Sequence, residues 1–212
     1  MTSHASPTQR ALSVWGFILG VWALYRTTIG KDMPLGFDEF IFKPLLFLTP
    51  IYYFITHYEH KSLVHGLWIK LHHWRQDVQQ ALLISLPFLL AGTVMISQSN
   101  FSIAEWPWLI AMAAVIAVTE ETLSRGFVTS RLYEEGHHSM QTLIKASALH
   151  LLLRIPRIMT TPQFFGDKLW WVIAAEALVS LIMTGLFLWR KSLLQVIMVR
   201  FIYTIVLLAL LV

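Results

Sequence analysis

The sequence predicts an all-α, polytopic membrane bundle of about seven spans at ~20 apolar residues per span, plus one interfacial amphipathic helix. Three observations carry this. Hydrophobic residues make up 56% of the 212-residue chain and charged residues 13%, whereas an ordinary soluble domain has about 25% charged residues. Mean hydropathy is +0.61. Apolar runs of span length alternate with short segments where proline, glycine and charge gather. The chain reads as one continuous membrane domain. Residues 1–105 supply N-terminal membrane helices and the interfacial helix, and residues 106–212 form a second helix bundle that carries intramembrane charge.

The elements follow in order. Residues 1–10 are a polar tail, 11–25 a somewhat short apolar helix, and 26–39 a loop containing Gly30, Pro34 and Gly36. Residues 40–57 form the second span; Lys43-Pro44 and Pro50 suggest a kink there, since proline lacks the N–H an interior turn uses. Residues 58–78 gather His60, His65, His72 and His73 among Lys61, Lys70, Arg75, Trp68 and Trp74. A basic, aromatic helix lying on lipid headgroups explains this composition. A metal site explains it less well, because His72 and His73 point to different faces and no histidine pair repeats at i,i+4 with a carboxylate. Residues 79–97 are the third span, 98–105 a loop, and 106–130 the fourth helix. A polar loop covers 131–139, the fifth helix 141–155, and a loop with Pro156, Pro162 and Gly166 covers 154–168. Residues 169–189 and 193–212 are the last two spans, joined by a tight turn at Lys191-Ser192. No internal repeat or low-complexity tract is visible.

Cysteine is absent, which excludes disulfides and thiolate metal sites. The net charge of +4 and pI of about 9.5 fit basic loop ends at a lipid bilayer rather than nucleic-acid binding. The nine tryptophans fit interfacial anchors, with Trp106, Trp108, Trp170 and Trp171 at one face. No cleavable signal is expected, because residues 12–25 lack a small-residue cleavage site after them. A cytoplasmic N-terminus places Arg10, Lys61, Lys70, Arg75, Arg131, Arg190 and Lys191 inside and Arg26, Lys31, Arg154, Arg157 and Lys168 outside. That bias favours the inward N-terminus. The expected location is a cell membrane, the inner one if the source is bacterial.

Charge inside a span points to function, and Glu120 and Glu121 close an apolar run. Counted from the expected helix ends at ~1.5 Å per residue, Glu120, His150 and Arg200 lie ~12–15 Å below one face. A carboxylate and an imidazole held together bind water, take its proton and return it to a leaving group. Glu121 and Arg125 have the i,i+4 spacing of an intrahelical ion pair. Glu120 is therefore assigned to water and Glu121 largely to Arg125. Arg154 and Arg157 read as a helix end reaching for headgroups, with a site for a substrate carboxylate as the alternative. Glu176 reads as a packing partner. His137-His138 with His150 match no established zinc spacing, so no cofactor is expected and zinc stays a minor alternative.

The run Glu120-Glu121-Thr122-Leu123-Ser124-Arg125-Gly126 resembles the EExxxRG motif of the CAAX-protease and bacteriocin-processing (Abi) family of glutamic-type intramembrane endopeptidases. The similarity extends over residues 106–204. His150 matches the histidine of the family's FxxxH motif, with Ala146 where phenylalanine is usual. Residues 185–193 resemble the helix–turn segment before the last motif, HxxxN or HxxxD. Its histidine falls on Arg200 and its polar partner on Thr204. The resemblance implies that Glu120 and His150 activate water while Arg200 and Thr204 stand where the oxyanion is stabilised, with Glu121 and Arg125 in support. It implies a protein or peptide substrate within the membrane. A guanidinium serves an oxyanion, but Arg200 equally suits an ion pair with Glu121 or Glu176. The second expectation is therefore an inactive scaffold or immunity protein. A small proton-coupled transporter ranks last, since no inverted repeat is visible.

Overall fold

The structure is a computed structural model and describes residues 6–30, 33–96, 106–136, 138–161, 166 and 168–211. The loop at 98–105, the proposed division at 105, the start of the polar tail and His137 fall outside the described residues. The described residues form eight helices and no strand. They are α1 (Pro7–Thr28), α2 (residues 35–58), α3 (Leu63–Gly66), α4 (Trp74–Ile96), α5 (Trp106–Gly136), α6 (Ser139–Thr160), α7 (Lys168–Arg190) and α8 (Leu193–Leu211). Seven are long, matching the number of expected spans. Of these, Asp38–Tyr58, Trp106–Gly136 and Leu169–Arg190 are each long and apolar enough to cross a membrane by themselves.

Local chemistry explains the boundaries. The α1 start is a capping box: Ser6 accepts from the Gln9 N–H, Gln9 Oε1 accepts from the Ser6 N–H, and Pro7 occupies the first turn. In α2 the turn Asp38–Phe42 is widened to π geometry, and the Lys43 N–H donates to the Asp38 carbonyl just before Pro44. The kink expected at Lys43-Pro44 is thus a widened turn. The helix begins before the expected residue 40, and Asp38 is buried against Arg26 and Tyr25. In α6, Pro156 does not stop the helix, which runs to Thr160. Hydroxyls serve the carbonyls around it: Thr160 Oγ1 donates to Pro156 O at 2.8 Å and Thr161 Oγ1 to Arg157 O at 2.7 Å.

The interfacial segment is divided rather than continuous. It consists of α3, a left-handed residue at Trp68 (φ 56°), a short 3-10 turn at Leu71–His73, and the start of α4. α5 continues through the expected loop to Gly136, since Arg131 is anchored on Glu59 and on the Gly66 carbonyl.

α8 packs on α4 and α5, α6 packs on α7, and α1 lies against α6. One apolar cluster includes Phe47, Ile51, Ile55, Leu123, Phe127, Val196 and Val199. A second, built on Leu109, Met112, Ile116 and Leu208, joins α5 to α8. Leu24, Leu45, Leu83, Trp108, Trp170, Trp171 and Trp189 are exposed, while Lys43, Glu120, Glu121, Arg125 and Arg200 are buried. An apolar exterior around a charged interior is the arrangement a bilayer requires.

Candidate active site

The site is built on α5, whose centre changes pitch. Residues 106–121 are α-helical, Thr122–Thr129 form a π segment, and α-helix resumes at Ser130. Widened turns of this kind concentrate at functional sites. Gly126 permits close packing here: a Cβ would lie 2.8 Å from a Leu193 methyl and 3.2 Å from one of Leu67. Every residue from Thr119 to Arg131 is buried.

Glu120 sits among cations from three other helices. Its Oε1 accepts from Lys43 Nζ and from Arg154 Nη1, each at 3.0 Å, and its Oε2 accepts from Arg200 Nη2 at 3.2 Å. An ionised carboxylate offers about four acceptor positions, so roughly one remains open, on Oε2. A cavity of about 10 Å³ borders Glu120, Lys43, Trp22 and Phe47; a single water needs ~10–15 Å³.

Glu121 pairs with Arg125 as its spacing predicts, with Arg125 Nε 3.3 Å from Oε2 and Nη1 3.4 Å from Oε1. Arg125 Nη2 also donates to the carbonyl and hydroxyl oxygens of Ser180, both at 3.2 Å. Lys43 is shared with Glu39 at 2.7 Å, Arg157 reaches Glu39 at 2.9 Å, and Arg154 Nε lies 3.3 Å from Glu176. The connected network thus holds Lys43, Arg125, Arg154, Arg157 and Arg200 against Glu39, Glu120, Glu121 and Glu176. With all of these ionised, one positive charge is in excess.

His150 is buried in the same region, but its Nδ1 faces Ser124 Oγ at 2.8 Å. Arg154, one turn further along α6, is the residue that meets Glu120. α5 and α6 run antiparallel, so the steps from Glu120 to Ser124 and from Arg154 to His150 match. The level expected for His150 is one turn off, because α5 ends at Gly136 and α6 starts at Ser139. Arg154 is therefore a buried partner of Glu120 and Glu176 and does not reach for headgroups.

Arg200 and Thr204 lie one turn apart on α8. Arg200 spends Nη2 on Glu120, while its Nε and Nη1 have no hydrogen-bond partner in the protein, and neither does Thr204 Oγ1. Buried polar groups of this kind are normally satisfied by something. Thr204, Arg154, Glu176 and Tyr203 line a cavity of about 170 Å³ whose other walls include Ile116, Ile158, Val172 and Leu207. It is smaller than the ~300–1,000 Å³ of a typical ligand pocket, which suits a side chain or two rather than a whole peptide. Among the described residues, no three histidine or acidic side chains are grouped to hold a metal ion.

Lys43, Ser124 and Glu39 belong to this neighbourhood and were not singled out in sequence. For Lys43 a signal existed: a lysine four residues after Glu39 within an apolar span. Ser124 had no comparable signal, since its contact depends on the register between α5 and α6.

The fold and its charged centre define an all-helical integral membrane protein with a buried network of glutamates, arginines and a lysine. The sequence matches the family model described as Rce1-like, type II CAAX prenyl endopeptidase Rce1-like, over residues 101–206, half of the chain. The chain belongs to that family, whose class of activity is proteolysis. No match was found among curated proteins or among solved structures.

Proposed function

We propose that this protein is a glutamic-type intramembrane endopeptidase. The observation that carries the proposal is the pair of donors without hydrogen-bond partners, Arg200 Nη1 and Thr204 Oγ1, buried one turn apart on α8, where Arg200 also bonds Glu120. Donors held in place away from bulk water stabilise an oxyanion as it forms, and the network's excess positive charge favours the same species.

In the proposed reaction, a water at the open Oε2 position of Glu120 attacks the scissile carbonyl. Glu120 takes its proton and returns it to the departing amine, Arg200 and Thr204 hold the resulting oxyanion, and His150, held by Ser124 one turn away, assists from the side. The cavity of about 170 Å³ suits an apolar side chain of the substrate. The substrate is proposed to be a membrane-associated protein cut near a C-terminal tail. N-in topology is part of the proposal.

A second reading has its own support. Lys43, Arg154 and Arg200 together occupy most of the Glu120 acceptor positions, which makes it a weak base and favours an inactive scaffold. Reconstituted protein offered a quenched fluorescent, farnesylated CAAX peptide separates the two. A parallel comparison of protein termini is made in membranes from cells expressing wild type or Glu120→Gln. Cleavage by wild type and its loss in Glu120→Gln support the protease. Identical termini with both proteins, together with an intact peptide, support the scaffold.

A further inference from the structure

A second polar feature lies outside the catalytic network, where the α7–α8 turn meets the segment between α2 and α4. A groove of about 610 Å³ is lined by His65, Trp68, Lys70, His72 and Lys191, with Val64 and Ile69 as its apolar part. Lys70 and Lys191 pair with no carboxylate among the described residues. Lys70 Nζ donates to the Arg190 carbonyl at 3.0 Å, and Lys191 Nζ lies 4.6 Å from the Tyr133 ring centre and 5.9 Å from that of Trp68. Glu134 is nearby, but it accepts from Trp68 Nε1 at 3.1 Å and its ion-pair partner is Lys61 at 4.0 Å.

The groove is held in a strained conformation. Among the described residues, three non-glycine residues have positive φ: His60, Trp68 and Lys191. Two of them, Trp68 at 56° and Lys191 at 52°, line this groove. Left-handed backbone at a tryptophan or lysine is costly, and such strain persists where the surroundings impose it, often at ligand sites. The surroundings are visible here: the Leu193 N–H donates to the Trp68 carbonyl at 3.2 Å, tying the strained Trp68 to the start of α8, two residues after Lys191.

We infer that this groove binds the phosphate of an anionic phospholipid headgroup. Two lysines without acidic partners suit a phosphodiester, the histidines add donors, and Val64 and Ile69 suit the glycerol and first acyl carbons. The lipid is favoured over a soluble phosphate by position. Trp189, two residues before Lys191, and Trp74, two residues after His72, are both exposed, and exposed tryptophans mark the headgroup level. The site also adjoins the catalytic helix, because Leu67 and Leu193 both approach Gly126. The inference does not depend on proteolysis.

The full chain in neutral detergent is titrated with phosphatidylglycerol, phosphatidylcholine or glycerol 3-phosphate while its thermal midpoint is followed. Phosphatidylglycerol is expected to raise the midpoint saturably, and the other two much less. Lys70→Gln with Lys191→Gln is expected to weaken the apparent affinity about 25-fold, roughly fivefold per lysine near an anionic surface. Arg10→Gln with Lys145→Gln, both exposed positions elsewhere, leaves it unchanged. Lys191→Gly supplies an opposite sign: glycine relieves the left-handed residue and raises the lipid-free midpoint, yet diminishes the lipid increment. Equal shifts with phosphatidylcholine, a full shift with glycerol 3-phosphate, or an undiminished increment in Lys191→Gly or the double variant overturns the inference.

Discussion

Arg131 and Arg200 are two arginines of nearly equal burial, at 2% and 1% exposure, yet their surroundings differ. Arg131 is fully engaged. It grips Glu59 with Nε at 3.0 Å and Nη2 at 2.6 Å, and its Nη1 donates to the Gly66 and Gly126 carbonyls and to Ser130 Oγ. Arg200 makes one hydrogen bond, to Glu120; its Nε lies 3.9 Å from Glu121 Oε1, and its Nη1 has no hydrogen-bond partner in the protein. Burial does not distinguish these two arginines; the accounting of donors does. A satisfied fork clamps α5 to the segment after α2, and a partly satisfied one leaves a buried donor open.

The largest expected effect tests the structural side. Arg131→Ala leaves Glu59 without its main partner and should destabilise the protein by about 3–5 kcal/mol, the cost of breaking a buried pair. Denaturant unfolding in detergent measures this. A loss below 1 kcal/mol would remove Arg131 from its role as the clamp.

Arg200→Ala tests the other side. Peptide cleavage should fall ~10²–10³-fold, as when an oxyanion donor is removed, with kcat affected more than KM. Arg200→Lys, which restores the charge but not the fork, should recover part of that rate. If Arg200→Ala instead raises activity, its pairing with Glu120 is inhibitory and the contrast with Arg131 takes another meaning.

Gly126→Ala probes the packing of α5 against the start of α8 and Leu67, since a Cβ would press on Leu193 and Leu67. Overpacking of this kind costs about 1–3 kcal/mol, which the same unfolding measurement reads. The smallest effect belongs to Thr204→Val, which removes one neutral donor at constant shape. Cleavage should drop about tenfold, equivalent to a hydrogen bond of ~1–1.5 kcal/mol, with stability unchanged. A rate equal to wild type excludes the Thr204 hydroxyl from the reaction.

Much of the site was legible because a bilayer makes charge conspicuous. Glu120, Glu121, His150 and Arg200 stand out in apolar runs, and the Glu121–Arg125 pair follows from helical spacing alone. Arg154 was not legible as a partner of Glu120, because Pro156 suggested a helix end where the chain continues to Thr160. The segment at residues 58–78 is basic and aromatic in sequence, but the single helix expected there is divided. Its break at Trp68 depends on the hydrogen bond to Leu193, a residue far along the chain.

The sequence by itself determined the helical membrane class, the family and the ionisable residues of the centre. These follow from composition, from periodicity and from a motif contained within one helix. Only the tertiary structure decided which residues meet: Lys43 with Glu120, Ser124 with His150, and Arg200 with donors to spare. The reason is register. One turn of slip between antiparallel helices moves a side chain by ~5.4 Å, more than the length of any hydrogen bond. That offset is set by where helices end and where their turns widen, which depends on contacts between distant segments.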